Sequence, residues 1–340
     1  VALLNSIPTS LSWAGEVVAN SRVTQGNARN SADIRTELAL LKKLFAEGKA
    51  GTVEEVNALD RIVNLVKEDD FAIDPIFDEL GSKSVSTDMA SALIGILGAA
   101  GTPASQMALL SMATAGEWPH SQREMALFSF VQVTAPIPEV ESWLQRLCER
   151  QDSLANNALL VLAAMGDRLR EINPDRFNSI SQFVLEAAKI NGLSLDEKIF
   201  LLNAIGNLGP QEVPALVQST LKGDDPLLRQ QALQSLQRIQ SDTAYNLIMD
   251  SIKNDPVNSV RVAAVKVLSE TSWESAPATL MQLVTMDSSG QVRREALTGL
   301  NQWVDTNPKI RAIFERVAQH DPSREIRDIA AQLLSSSAHG

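Results

Sequence analysis

The sequence predicts an all-α chain, a right-handed α-solenoid of about eight antiparallel helix pairs. Two observations predict it. A short helical signature returns at a spacing of about 32 residues, and the composition is that of packed amphipathic helices, rich in Leu, Ala, Gln and Glu with only 4% aromatic residues. The signature is clearest over 195–336, where it reads DDPLLRQQALQSL, NDPVNSVRVAAVKVL, MDSSGQVRREALTGL and HDPSREIRDIAAQLL. In each copy an Asp lies in a turn, often followed by Pro. An Arg comes next, then Ala three positions and Leu seven positions after it. Arg229, Ala232 and Leu236 thus align with Arg261, Ala264 and Leu268, with Arg293, Ala296 and Leu300, and with Arg327, Ala330 and Leu334.

Each part of the chain has its own justification. Residues 1–30 are rich in Ser, Asn and Thr and lack a period, so they read as an extended arm or the edge of a missing neighbouring domain. Residues 31–340 read as one solenoid, because a repeat array grows by stacking and needs no domain boundary. TELALLKKLFAEG and VEEVNALDRIVNLVKE carry 3.6-residue apolar spacing and form the first helices. From Met89 to Gly116 no charge appears, but Gly, Pro, Ser and Thr break the run short of a membrane span, so it reads as a buried helical hairpin. Gly95, Gly98 and Gly101 there serve helix packing and a helix stop. The second helix of each pair, B, carries the signature, with Ala92, Ala126, Ala158 and Leu201 at the small-residue position of the early copies. The first helix, A, often opens on Pro, as in TPASQMALL, IPEVESWLQRL, NPDRFNSISQFVLEA and NPKIRAIFERV. Roughly ten extra residues around 166–178 imply an enlarged loop.

Charge and chemistry exclude several classes. A net charge of −11 disfavours a nucleic-acid groove. The lone Cys148 allows no internal disulfide and reads as a buried thiol. His120, His320 and His339 are isolated, and no HExxH or phosphate-loop pattern occurs. The expectation is a chain that is not an enzyme and carries no cofactor, metal or membrane span. Starting at Val1, it reads as processed or as a piece of something longer.

The signature arginines Arg229, Arg261, Arg293 and Arg327 are expected to pair with turn aspartates of their own or the adjacent repeat. As surface pairs these would contribute about 0–1 kcal/mol each. Counting from the Arg, positions +5 and +8 lie about 200° and 140° from the Ala, on the expected concave wall. Late in the chain that wall is polar: Gln234, Lys266, Thr298 and Gln332 at +5; Gln237, Ser269, Asn301 and Ser335 at +8. Early it is apolar: Ile94, Phe128 and Leu160 at +5; Leu97, Val131 and Ala163 at +8. A helix apolar all round must be covered, so the early wall is expected to bind a partner domain, an apolar ligand or the arm.

The Asp-Arg-Ala-Leu repeats resemble HEAT-type helical repeats over most of 85–336. More specifically, LLNAIGNLGPQEVPALVQSTLKG followed by LLRQQALQSLQRI, VRVAAVKVLSETSWESA and DSSGQVRREAL resembles the helical domain of the vitellogenin and microsomal triglyceride transfer protein family. That resemblance implies a horseshoe bracing lipid-binding β-sheets, a flanking β-rich domain or another protein as partner, lipid as a further ligand, and a secreted or lumenal location. The chain departs from the pattern in lacking those sheets and paired cysteines. The reading is a helical-repeat scaffold binding through its concave face. The alternative is a protein similar to the HEAT-like lyases that attach bilin chromophores.

Overall fold

A computed structural model describes residues 26–82, 85–149, 153–190 and 192–337. Every regular element among them is helical, and the fold class is an α-solenoid. Where the sequence predicts one continuous body, contacts divide the chain into two compact units, Val1–Ile137 and Pro138–Gly340. Residues 1–25 of the expected arm lie outside the described residues, and 26–30 open the first helix.

The first unit contains α1 (Gly26–Ala46), α2 (Val53–Glu68), α3 (Ile73–Leu80), α4 (Thr87–Ala100), α5 (Pro103–Thr114) and α6 (His120–Ser129). Helix α4 starts at Ser86, whose hydroxyl accepts the Met89 N–H, and stops at Gly101. That glycine has φ +62°, the left-handed conformation that only glycine adopts without strain. Thr102 then caps α5, and Pro103 fills its first turn, where no backbone donor is needed. Helix α4 packs on α2, α5 and α6, which is why it is apolar nearly all round. Gln106 of α5 is fully buried and joins two turns. Its Nε2 donates to the Gly101 and Ala135 carbonyls, and its Oε1 accepts the Ile137 N–H.

The second unit contains α7 (Pro138–Cys148), α8 (Ser153–Ile172), α9 (Pro174–Ala187), α10 (Leu195–Leu208), α11 (Ala215–Leu221), α12 (Pro226–Ser235), α13 (Asp242–Asn254), α14 (Asn258–Ser269), α15 (Ala276–Met286), α16 (Gly290–Leu300), α17 (Pro308–His320) and α18 (Arg324–Ser337). Each odd-numbered A helix packs on the even-numbered B helix that follows it, and each B helix packs on the next B helix. The signature positions Ala232, Leu236, Ala264, Leu268, Ala296, Leu300 and Ala330 have no exposed surface. The enlarged loop expected around 166–178 is not there. The extra residues lengthen α8 to 20 residues, and Asn173 alone separates it from α9. Leu169 and Met165 are buried, so the added turns continue an apolar face rather than leave it.

Adjacent B helices approach through small residues. A side chain begun at Gly98 would lie 2.7 Å from the Ser129 carbonyl oxygen; one at Gly206, 3.2 Å from Ser235 Cα; one at Gly299, 2.5 Å from Ser269 Cβ. In the signature numbering these are +8 or +9 on one B helix meeting +6 on the next. Three B-to-B contacts therefore depend on a missing or minimal side chain.

Two alanine substitutions three residues apart in α4 separate this packing from helix propensity. Gly98→Ala should destabilise by about 1–3 kcal/mol, because the methyl group has nowhere to go. Gly95→Ala, with nothing within 4 Å of its added carbon, should stabilise by about 0.5–1 kcal/mol. Urea unfolding of the two variants checks both signs.

Candidate functional site

The repeat arginines form one set of linked positions. Arg229 donates through Nε and Nη2 to both carboxylate oxygens of Asp255, at 2.8 and 3.0 Å, while its Nη1 holds the Gly223 and Asp224 carbonyls at 3.0 Å. Arg293 repeats this on Asp321, at 2.8 and 2.9 Å, and on the Asp287 and Ser288 carbonyls. Arg261 reaches Asp287 through a single 3.3 Å bond. Arg327 holds the Asp321 and Pro322 carbonyls of its own turn. The aspartate in each case also accepts a backbone N–H of its own turn: Val257 at 2.9 Å, Ser289 at 2.8 Å and Ser323 at 2.8 Å. A guanidinium thus binds its own turn and the carboxylate of the next.

These pairs are not surface pairs. Arg229 is 7%, Arg293 9% and Asp321 7% exposed, and each arginine is held between its own turn and the next. The expected contribution of about 0–1 kcal/mol is therefore corrected upward: removing one partner strands a buried charge, at about 3–5 kcal/mol. Burial by itself would raise the Asp255 and Asp321 carboxyls. The hydrogen bonds from Arg229 and Arg293, those from the Val257 and Ser323 N–H groups and the nearby guanidinium charges outweigh it, and both end below the ordinary carboxylate value.

The late +5 residues Gln234, Lys266, Thr298 and Gln332 are all exposed. They belong to a stripe on the B helices at positions −2, +1, +5 and +8, spaced to fall on one helix face. Along α12, α14 and α16 this stripe borders an open groove of about 590 Å³. Gln230, Gln234 and Gln237 line one side and Gln291 and Arg294 the other. Between them lie Ser259, Lys266 and Glu270 above a floor of Val262, Ala263 and Val267. Gln237 Nε2 donates to Glu270 at 3.1 Å, and Lys266 Nζ stands 3.9 Å from the same carboxylate. Arg294 pairs with Glu325 at 3.0 Å. The sequence pattern predicts the +5 and +8 half of the stripe, and Gln230, Arg294, Ser259 and Gln291 at +1 and −2 add the half it does not single out. The signal was present: those positions precede +5 by about one and two helical turns. Of the +8 residues, Ser269 is buried against Gly299 and is no part of the surface.

The early apolar wall is largely corrected. Ile94 and Leu97 are fully buried, since α4 has neighbours on several sides, and so they line no surface of the first unit. Ala163 is also core in the second unit. Val131 and Leu160 are half-buried, and Phe128 is 44% exposed.

Among the described residues, no group of three or more His, Cys, Asp or Glu side chains is placed to hold a metal ion, and no helix is long and apolar enough to cross a membrane. His339 lies outside the described residues. Burial, with help from the Glu149 charge, pushes the Cys148 thiol up to about 12.

Residues 193–269, spanning α10 to α14, match the family model of HEAT repeats. The chain carries HEAT-type helical repeats. Among solved structures it is similar to human deoxyhypusine hydroxylase, in complex with glycerol, at 16% identity over 82% of this chain and 98% of that one, with a TM-score of 0.32. No curated protein matches the sequence. One expectation is corrected here. The sequence predicts a chain that is not an enzyme, whereas this similar structure is named as a hydroxylase. A TM-score that low transfers neither activity nor site to this chain. The matches support the helical-repeat part of the resemblance and lend nothing to its vitellogenin-like, lipid-carrying part.

Arg293→Met should lower unfolding stability by about 3–5 kcal/mol, and Arg261→Met, which breaks a single longer bond, by less. Asp255 and Asp321 are held below their unfolded value of about 3.9, so the stability they contribute is complete above that value and is lost as pH falls below it and through the lower folded-state value. Melting temperature should therefore start to drop as pH falls below about 4, and Asp321→Asn should flatten that drop. At pH 8, Cys148 of the folded protein should react with a thiol reagent more than about a hundredfold slower than in urea.

Proposed function

We propose that this chain is a protein-binding scaffold that engages its partner along the exposed face of the B helices in the second unit. One observation supports the reading above the others. Gln234, Lys266, Thr298 and Gln332 stand at the same register in four consecutive repeats and are exposed, while the Ala and Leu of each copy are buried. Stacking consumes the other faces of a B helix, so the remaining stripe is the surface the architecture leaves for a ligand. The stripe mixes amides, hydroxyls and both signs of charge. That suits the polar surface of another protein better than an apolar cargo or a polyanion, which needs clustered Lys and Arg.

The lipid-carrying version drew its physical support from an apolar early wall. With Ile94 and Leu97 in the core, that support is reduced to Phe128 and its half-buried neighbours, and lipid is not part of the proposal. Nothing observed favours a bilin-binding role.

The test is capture from a native extract followed by cross-linking of the captured complex. Replacing Gln234, Thr298 and Gln332 together by Glu should leave the melting temperature within about the spread of ordinary surface changes. It should weaken the captured partner at least tenfold. Phe128→Asp in the first unit should leave the same partner bound. Loss of the partner in the Phe128 variant, with retention in the triple variant, refutes the proposal.

A further inference from the structure

We infer that the groove across α12, α14 and α16 takes an extended peptide segment bearing acidic side chains three residues apart. The inference rests on the scaffold reading above and names the partner's chemistry at that site. Its first support is charge. The chain carries −11 overall, yet the groove is lined by two cations, Lys266 and Arg294, and one anion, Glu270. An acidic protein that places its positive charge in a groove offers it to a negative group.

The second support is the lining itself. Four glutamines, Gln230, Gln234, Gln237 and Gln291, border the groove, and a primary amide both donates and accepts. Peptide backbone presents one donor and one acceptor per residue, and in extended form both are free to be met. Amides on the two sides of a groove meet a strand without reading its side chains, which leaves sequence preference to the cations. The chain's own Glu270 already illustrates the reception of a carboxylate here, between the Gln237 amide and the Lys266 ammonium.

Spacing sets the third element. Lys266 stands at +5 of α14 and Arg294 at +1 of α16. Neighbouring helices pack about 8–10 Å apart, and four residues along a helix rise about 6 Å. The two cations are thus rooted roughly 11 Å apart on a diagonal. An extended chain of polyproline II form brings every third side chain back to one face over about 9 Å. The Arg294–Glu325 pair is exposed on both sides, 47% and 66%, and such pairs exchange readily with an incoming carboxylate. Phosphate backbone is the competing polyanion. Two cations, one of them already beside Glu270, make a weak phosphate track, and the amides offer it donors but leave their acceptors unused.

The experiment uses the whole chain and fluorescein-labelled dodecapeptides of repeating Glu-Ser-Pro, with Lys or Gln replacing Glu in the controls and a single-stranded oligothymidylate as the polyanion. Fluorescence anisotropy should give saturable binding of the Glu peptide, at least tenfold tighter than the Gln peptide. Lys266→Glu combined with Arg294→Glu should abolish it and admit the Lys peptide. Lys266→Gln with Arg294→Gln gives the same loss without charge reversal should the first variant fold poorly, as circular dichroism reports. Unchanged Glu-peptide affinity in both variants overturns the inference, as does absence of saturable binding. Oligothymidylate binding as tightly, and lost in the same variants, overturns it in favour of a phosphate site. If the peptide fails while the Gln234, Thr298 and Gln332 variant still loses its captured partner, the scaffold reading stands and the acidic-peptide inference alone falls.

Discussion

A guanidinium shared between two turns is the constraint on which the second unit depends. The carbonyls of the turn between an A helix and its B helix belong to no helical ladder, and the Arg of the following B helix satisfies them: Arg229 at Gly223 and Asp224, Arg293 at Asp287 and Ser288. The remaining nitrogens of the same group reach forward to Asp255 or Asp321. A planar fork with fixed donor directions cannot do both unless consecutive turns stand at one spacing and one tilt. The pair therefore specifies how far apart repeats stand. The apolar surface between Ala, Leu and Ile supplies most of the favourable free energy, but apolar contact alone would tolerate sliding.

Fixed spacing has a consequence at the other end of the B helices. Gly206 over Ser235 and Ser269 under Gly299 bring two backbones close enough that a methyl group would clash. Such approach is productive only when register is exact to a fraction of an ångström, and between α14 and α16 the Arg261–Asp287 link at the helix starts helps to hold it. Arg170 adds a link of the same kind, its Nη2 at 2.6 Å from the Leu208 and Gly209 carbonyls where α10 ends. With turns tied on one side and glycine contacts on the other, a B helix has one stripe left uncommitted. The groove is that remainder.

Much of this was legible in the sequence. Pro at the first turn located α5, α7, α9 and α17, since a residue without an N–H is favoured only there, and the Arg, Ala and Leu spacing located the four last B helices. The misses share a cause: each depends on what the rest of the chain does to a residue. Ile94 and Leu97 look like a greasy wall when the helix is considered singly, and become core once α2, α5 and α6 are placed around α4. Asp321 looks like a surface turn residue until Arg293 of the preceding repeat is placed against it. The added turns of α8 read as a loop because a break in repeat spacing does not say which element absorbs the insertion. The groove was half seen for a simpler reason, that a helix face recurs toward its N-terminus as well as away from it.

The two units solve the turn-to-turn problem with different chemistry. In the first, Gln106 bridges the Gly101 and Ala135 carbonyls and the Ile137 N–H with a neutral amide. Burying an amide whose donors and acceptor are all used carries a small desolvation cost and no dependence on protonation. In the second, the same task falls to buried ion pairs, whose desolvation is expensive and is offset only while both partners stay charged. The ionic version buys what the amide lacks: five donors on one side chain, enough to hold two turns and two carboxylate oxygens at once. A longer run of repeats accumulates any error in spacing from one repeat to the next. The arginine links therefore appear where six helix pairs follow one another, and the groove that requires three B helices in common register lies within that run.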